Sequence, residues 1–172
     1  MVGAVGAYCF YPHVQTRIDI WLDPWGDPNG KAYQLVQSLF ALGSGHVLGT
    51  GLTYGFPDFI PEVHTDFIFA AIGEEMGLMG SAAVLFIYLI IIYRGFRTAL
   101  TAATTFQALT AAGLSIFLAL QVILIVGGVT NLLPLTGITL PLISYGGSSM
   151  VSNFILLGIL AAISEARQIN AH

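Results

Sequence analysis

The feature that most constrains this chain is a run of 67 residues, Thr98 to Ser164, without a single Asp, Glu, Lys, Arg or His. A helix that crosses the hydrocarbon core of a bilayer needs only about 20 apolar residues. The run is therefore long enough for two spans, and a proline and a glycine interrupt it shortly after residue 130. We predict transmembrane helices over 106–130 and 140–164, joined by an extracellular loop at 131–139.

The composition excludes most other classes of protein. Only 8% of the residues are charged and 56% are hydrophobic, whereas soluble domains are about 25% charged. Disordered chains need high charge and disulfide scaffolds need several cysteines, but this chain has one, Cys9. Five Lys and Arg residues against nine Asp and Glu residues leave no basic patch for a nucleic acid. The chain is therefore predicted to be an all-α, polytopic membrane helix bundle.

A third predicted span covers 66–93 and is followed by a loop at 94–105 that carries two arginines. Short loops rich in Lys and Arg stay in the cytoplasm. We therefore assign the loop 94–105 and the tail 165–172, which also contains an arginine, to the cytoplasmic side. By alternation, the long acidic segment 11–65 is predicted to lie outside.

Two parts of the N-terminal third have a helical or apolar pattern. Residues 1–10 are apolar but too short to span, and we interpret them as the remnant of a span that begins upstream. From 33 to 42, apolar residues recur at helical spacing, which predicts an amphipathic helix on the membrane surface. The glycines at 43–51 superficially resemble a phosphate-binding loop, but no strand precedes them and no Gly-Lys-Ser/Thr follows.

The strongest candidates for chemistry lie at the mouth of the third span, where Glu62, His64 and Asp66 follow one another closely. Ionisable groups at a membrane boundary are functional candidates. The simpler interpretation is that Thr65 or Asp66 caps the helix while the other two groups are solvated. Spacing alone favours this simpler interpretation slightly.

Two further carboxylates, Glu74 and Glu75, follow along the same predicted helix. On a helix that begins near Asp66 they lie two turns deeper and face different directions. A carboxylate at that depth is costly unless it faces water or a partner. The pair therefore predicts a polar cavity within the bundle.

The last predicted span has a polar face. Its members are spaced at i, i+1, i+4, i+5, i+8 and i+9: Ser144, Tyr145, Ser148, Ser149, Ser152 and Asn153. Small and hydroxyl side chains let helices pack closely, and the sequence favours this interpretation. The alternative is that the face lines the binding site of a polar substrate or headgroup.

These residues resemble the family of shape, elongation, division and sporulation (SEDS) proteins, which includes FtsW, RodA and SpoVE. The resemblance rests on six motifs in the family's order: Leu22-Asp23-Pro24, Tyr33-Gln34-Leu35-Val36-Gln37-Ser38, Gly43-Ser44-Gly45, Pro61-Glu62-Val63-His64-Thr65-Asp66-Phe67-Ile68-Phe69, Gly73-Glu74-Glu75-Met76-Gly77 and Leu140-Pro141-Leu142-Ile143-Ser144-Tyr145-Gly146-Gly147-Ser148-Ser149. Together they cover most of the chain from Arg17 to Arg167, and the combination is highly specific. Thr136 stands where some division-type members carry a lysine, so it gives no hint of subfamily.

The resemblance implies a ten-span glycosyltransferase of the bacterial cytoplasmic (inner) membrane that polymerises lipid II into the glycan strands of peptidoglycan. Its implied partners are a class B penicillin-binding protein and other membrane proteins of the division or elongation machinery. This chain corresponds to the C-terminal part of the SEDS fold. It would supply the end of the seventh span, the large fourth extracellular loop and spans eight to ten.

The resemblance also assigns roles to residues. The aspartate that is catalytic in the family maps onto Asp66, with Glu62, His64 and Thr65 expected to support it. The residues expected to line the cavity or the substrate site are Gln37, Glu74, Ser144, Tyr145 and Ser148. Asp66 can serve as a general base for the attacking sugar hydroxyl or as a ligand of a divalent cation, and both roles stay open.

The leaving diphosphate raises a difficulty, because it needs cations. On the predicted outer side of the membrane the chain offers Arg17, Lys31 and histidines. We therefore expect a metal ion or basic groups from upstream spans to contribute, and the 172 residues to be inactive alone. Two alternatives are a transporter of lipid-linked sugars and a non-catalytic scaffold of the wall-synthesis complex. These residues do not distinguish a role in division from a role in elongation.

Overall fold

The computed structural model describes residues 12–55, 61 and 63–169, with side chains described as far as residue 166. Its helices are α1 (Pro12–Leu22), α2 (Tyr33–Ser44), α3 (Ile68–Leu100), α4 (Thr105–Val129) and α5 (Gly147–Ile169). No strand occurs within these ranges, so the predicted all-α class is confirmed. The predicted span remnant at 1–10 and the last residues of the predicted tail lie outside the described residues.

Three helices of the described part are long and apolar enough to cross a membrane, and they cover 68–100, 105–129 and 147–166. Their outer faces carry large apolar side chains such as Phe86 and Phe154, each 61% exposed. Soluble monomers rarely expose large contiguous apolar patches. By length and composition, the structure has the three spanning helices that the sequence predicts.

Helices α3 and α4 pack closely, because small residues meet where they cross. A Cβ on Gly95 would lie 2.1 Å from the Oγ of Ser115, which is fully buried. Such small-residue contacts let two helix backbones approach each other in a membrane. One apolar cluster, which includes Phe67, Val129 and Leu140, lies at the end of the bundle where the non-helical segments meet.

The helix α3 extends further than predicted, through most of the expected loop 94–105. The hydroxyls of Thr98 and Thr101 donate to the carbonyls of Arg94 and Arg97, at 3.0 and 2.7 Å. No proline or glycine follows Gly95 to end the helix earlier. The connection to α4 is therefore short, and the hydroxyl of Thr104 caps α4 by accepting from the amide of Gln107.

The prediction that the last span begins at residue 140 is wrong, because α5 begins at Gly147. Proline disfavours helical geometry in the preceding residue, and here Pro141 follows Leu140. Leu142 adopts a left-handed conformation with φ of +66°. Consequently Ser144 and Tyr145 precede the helix and do not belong to its polar face.

Helix α1 was not predicted, since its residues were included in the outer loop. Pro12 occupies its first position, where proline is tolerated because the missing N–H would have no helical partner. The hydroxyl of Thr16 donates to the carbonyl of Pro12. The helix ends at Leu22, one residue before the Asp23 that precedes Pro24.

Helix α3 is interrupted at Gly77, whose φ of +66° and ψ of −165° are not helical. The stretch after the interruption, 78–100, is about 34 Å long at 1.5 Å per residue and can span a bilayer by itself. Glu74 and Glu75 therefore end a short helical stretch in front of the break. The expectation that they lie two turns into a continuous span beginning near Asp66 is wrong.

The break frees backbone amides, and residues 45–51, here called the glycine segment, accept their hydrogen bonds. The amide of Leu78 donates to the carbonyl of His46 at 3.0 Å, and that of Met79 donates to the carbonyl of Val47 at 3.1 Å. Unsatisfied backbone groups are costly at membrane depth. The glycine segment thus replaces the helical hydrogen bonds that the break removes.

The same segment also satisfies carbonyls on the other side of the break. The amide of Thr50 donates to the carbonyl of Glu74 at 2.9 Å, and that of Gly51 donates to the carbonyl of Glu75 at 3.1 Å. The two backbones touch, because a Cβ on Gly77 would lie 2.3 Å from the amide nitrogen of Gly49. Only glycine fits at this contact.

We predict that Gly77→Ala lowers the free energy of unfolding by at least about 2 kcal/mol, because alanine adds both a strained φ and a backbone clash. The matched control is Gly113→Ala, since a Cβ on Gly113 meets nothing within 4 Å and lies inside helix α4. The control should be neutral or slightly stabilising. Circular dichroism during denaturation in mixed micelles measures both, and equal stability of the two variants would contradict the argument.

Candidate functional site

The segment 63–67 is held at both ends by buried apolar side chains. Val63 is 5% exposed and Phe67 is 1% exposed, and both belong to the same apolar cluster. Between them, His64 is exposed while Thr65 and Asp66 are half-buried. The anchors keep the polar side chains at the surface of the bundle. Glu62, the fourth residue predicted here, lies outside the described residues.

The interpretation in which Thr65 or Asp66 occupies the N-cap of the helix is wrong. The helix α3 begins at Ile68, and Phe67 occupies the N-cap position. Asp66 therefore belongs to the segment that precedes the helix. Its position is compatible with a role other than capping.

The loop before α5 holds the backbone of this segment. The hydroxyl of Ser144 donates to the carbonyl of Thr65 at 2.6 Å and accepts from the amide of Leu140 at 2.8 Å. The amide of Tyr145 donates to the carbonyl of His64 at 2.8 Å. These contacts fix the backbone on which Asp66 sits.

A residue of helix α3 supports the same loop from within the bundle. The hydroxyl of Tyr88, which is buried in α3, donates to the carbonyl of Pro141. Buried phenol groups nearly always find such a partner. The non-helical loop is thus joined to the rigid part of the bundle.

Arg17 approaches Asp66 although 48 residues separate them in the sequence. A Cβ on Gly137 would lie 3.3 Å from Nη2 of Arg17 and 3.4 Å from Oδ2 of Asp66. The guanidinium of Arg17 and the carboxylate of Asp66 therefore both lie beside Gly137, which has a φ of +69°. A nearby guanidinium stabilises the ionised form of a carboxylate.

The position of Arg17 is set by contacts between α1 and the loop 131–137. Nη1 of Arg17 donates to the carbonyl of Leu135 at 2.9 Å. The indole nitrogen of Trp21, one turn further along α1, donates to the carbonyl of Asn131 at 3.2 Å. Two side chains on one helix face thus dock α1 onto this loop.

The other predicted site residues have different surroundings. Glu74 is buried at the break in α3, and a Cβ on Gly55 would lie 3.2 Å from its Cδ. Gln37 is half-buried in α2. Tyr145 is 80% exposed and Ser148 is also exposed, so both side chains are accessible. Ser144 is 3% exposed, and its hydroxyl bonds backbone groups.

In the described part of the chain, no group of three or more His, Cys, Asp or Glu side chains is placed to hold a metal ion. The neighbour of Asp66 across Gly137 is a cation, whereas a divalent metal requires further oxygen or nitrogen ligands. For Mg²⁺ these further ligands are often substrate phosphates, so this arrangement is compatible with either role of Asp66.

No pattern in the sequence connects Arg17 or Gly137 with Asp66. In the sequence, Arg17 is one of few cations on the predicted outer side, and Gly137 belongs to an interruption between two predicted spans. The one available signal was the scarcity of positive charge, which makes each cation outside the membrane a candidate partner for the site.

We predict that Ser144→Ala lowers the free energy of unfolding by about 1–3 kcal/mol, because it leaves a buried carbonyl and a buried amide without their partner. The control is Ser152→Ala, since Ser152 is exposed and bonds only within its own helix, to the carbonyl of Ser148. Its effect should stay within about 0.5 kcal/mol. Thermal unfolding in detergent compares the two variants, and equal melting temperatures would refute the bracing role.

Comparisons with known proteins agree with this architecture. The family model of FtsW, RodA and SpoVE, described as cell cycle protein, matches residues 1–169. The chain is 54% identical over 163 residues to the peptidoglycan glycosyltransferase RodA of Mycobacterium tuberculosis, covering 95% of this chain and 35% of the relative. It is 41% identical over 165 residues to the stage V sporulation protein E of Bacillus subtilis, covering 95% of this chain and 45% of the relative.

Two solved structures are also similar. A chain from a study of polymerization and crosslinking by a peptidoglycan synthase complex matches with a TM-score of 0.76 and 27% identity, over 97% of this chain and 46% of that one. The rod shape determining protein RodA of Thermus thermophilus, in a mutant form, matches with a TM-score of 0.60 and 28% identity, over 90% of this chain and 48% of that one.

The chain spans between a third and a half of the length of these relatives. The matches nevertheless cover nearly all of its own residues, from the family model to the solved structures. The chain belongs to the FtsW, RodA and SpoVE family of cell cycle proteins.

Proposed function

We propose that this chain forms the base-bearing part of a peptidoglycan glycosyltransferase, with Asp66 as the general base. The observation that carries the proposal is the placement of Asp66. It is half-buried, it lies on a braced backbone, and a guanidinium lies beside it across Gly137. A relative that shares 54% of the residues is named peptidoglycan glycosyltransferase, which supports the same reaction.

The reaction needs a proton acceptor at a fixed position. The hydroxyl oxygen of the acceptor sugar forms a bond to the anomeric carbon of the donor sugar, and Asp66 takes the hydroxyl proton. The bond from the anomeric carbon to the diphosphate oxygen breaks, and its electron pair leaves with the lipid diphosphate. Lipid II is the proposed substrate, since it combines that sugar with that leaving group.

We assign Asp66 the role of base because of what surrounds it. A metal-ligand role would take its further ligands from substrate phosphates, because no group of three or more His, Cys, Asp or Glu side chains in the described residues is placed to hold a metal ion. His64 is exposed next to Asp66 and is free to face substrate. We keep His64, Thr65 and Glu62 as proposed supporting residues, and Gln37, Glu74, Tyr145 and Ser148 as proposed lining.

The site is proposed to face the outer side of the bacterial cytoplasmic membrane. Helix α1, the segment 63–67 and the loop 131–146 meet at one end of the bundle. Arg94 and Arg97 lie near the other end of α3, and the positive-inside rule assigns that end to the cytoplasm. The proposed partner is a class B penicillin-binding protein, in keeping with a solved relative described as part of a synthase complex.

The break in α3 gives little support to the transporter alternative. In many transporters, broken helices leave backbone groups that coordinate ions or substrate. Here the carbonyls of Glu74 and Glu75 accept from the glycine segment, which also accepts from the amides of Leu78 and Met79. The break is therefore an internally satisfied packing feature.

We predict that Asp66→Asn reduces polymerisation of labelled lipid II by at least about 100-fold, because asparagine accepts no proton. The assay uses this chain substituted for the matching stretch of Mycobacterium tuberculosis RodA, together with a penicillin-binding protein; we call this the full-length chimera. The control is Glu165→Gln, which removes an exposed carboxylate near the opposite end of α5. It should polymerise like the unaltered chimera.

Three other results would each reject the assignment. Full polymerisation by Asp66→Asn would show that the base lies elsewhere. Polymerisation by Asp66→Asn with loss of lipid II translocation would favour the transporter. The scaffold would be favoured if the unaltered chimera binds the penicillin-binding protein but does not polymerise lipid II, while unmodified RodA is active in the same assay.

A further inference from the structure

Breaking the bond to a diphosphate concentrates negative charge on the leaving group, and enzymes stabilise such charge with positioned cations. Among the residues whose side chains the structure describes, Arg17 and Lys31 are the Lys and Arg residues outside the three spanning helices. The surroundings of these two side chains decide which of them can serve a leaving group at Asp66.

Lys31 lines a small cavity of about 40 Å³ together with Arg17, and its remaining surroundings are acidic. It lines a cavity of about 340 Å³ together with Asp19, Asp23 and Asp27. Its backbone amide donates to the carboxylate of Asp27 at 3.1 Å. Three nearby carboxylates oppose the binding of an anion there.

Arg17 lies close to Asp66 and has N–H groups available to bind an anion. Its guanidinium has five N–H donors, and the carbonyl of Leu135 takes one of them through Nη1. Its Nη2 lies on the side of Gly137 where Oδ2 of Asp66 also lies. The side chain is exposed, so a ligand can reach the remaining N–H groups.

A groove of about 300 Å³ has Arg17 in its lining. Its lining is largely apolar and consists of Val14, Arg17, Ile18, Pro134, Leu135 and Thr136. One cation at the edge of an apolar groove suits a ligand that joins an anionic head to an apolar chain. A prenyl diphosphate has that chemistry, and a guanidinium is well shaped to bind its oxygens with two hydrogen bonds.

We propose that Arg17 binds the diphosphate of the lipid-linked donor, with the first part of the lipid chain in the adjoining groove. The proposal rests on the proposed function and adds the cation that the reaction requires. When the anomeric carbon–oxygen bond breaks, the electron pair moves to the diphosphate oxygen, and Arg17 stabilises its charge. The released proton goes to Asp66, on the other side of Gly137.

The test measures binding and turnover separately in the full-length chimera. The probes are undecaprenyl diphosphate, the neutral alcohol undecaprenol and inorganic diphosphate. The unaltered chimera should bind undecaprenyl diphosphate at least about 10-fold more tightly than either other probe, because both the head and the chain contribute. Tight binding of inorganic diphosphate alone would overturn the role of the groove.

The variants are Arg17→Gln, Arg17→Lys and the control Lys31→Gln. We expect Arg17→Gln to weaken binding of undecaprenyl diphosphate by at least about 10-fold while binding of undecaprenol is retained, because only the charged contacts are lost. Arg17→Lys should retain part of the affinity, since it keeps the charge and loses the planar fork. Lys31→Gln should bind like the unaltered chimera.

Retained binding of undecaprenol also shows that the variant is folded. If Arg17→Gln does not fold, Arg17→Lys decides, and its unchanged affinity and turnover would overturn the proposal. A loss of polymerisation in Asp66→Asn with normal diphosphate binding by Arg17→Gln would overturn this inference and leave the proposed function standing. Loss of diphosphate binding in Arg17→Gln together with full polymerisation by Asp66→Asn would overturn the proposed function and leave the binding role of Arg17 standing.

Discussion

Hydrogen bonding between non-helical backbone segments is the interaction on which the rest of this structure depends. A membrane provides no water to satisfy amides and carbonyls that leave a helix. At the break in α3 the glycine segment supplies the missing partners, and before α5 the hydroxyl of Ser144 does the same for Leu140 and Thr65. Both irregular stretches can therefore persist at the end of the bundle, and the second of them holds the segment 63–67, which carries the candidate site.

The bracing has a direct consequence for the proposed role of Asp66. A general base must be held within a few tenths of an ångström of its working position, and loops position side chains poorly unless they are supported. Phe67 secures the segment in the apolar cluster, while Ser144 and Tyr145 bond its backbone. Asp66 thus combines the exposure of a loop residue with a backbone that is fixed from two sides.

Much of this fold could be predicted because the length of an apolar stretch can be read from consecutive residues. The charge-free run and the arginines that precede it determine three spans, and helical spacing predicted α2. The break at Gly77 could not be predicted, because a glycine inside a helical pattern is usually tolerated and only the opposing glycine segment makes the break favourable. The neighbourhood of Arg17 and Asp66 was equally inaccessible, since it depends on how α1 docks onto the loop 131–137. The candidate base was accessible through its motif, whereas its surroundings required the fold.

The proximity of Arg17 and Asp66 explains how a site with few charges can serve both halves of the proposed reaction. Before transfer, the carboxylate of Asp66 offsets the charge of the guanidinium of Arg17 across Gly137. When Asp66 takes the acceptor proton it becomes neutral, and the positive charge of Arg17 is no longer offset. At the same moment the leaving diphosphate gains negative charge. Proton transfer on one side of Gly137 therefore strengthens the attraction for the leaving group on the other, while the net charge of the site and its substrates together stays unchanged.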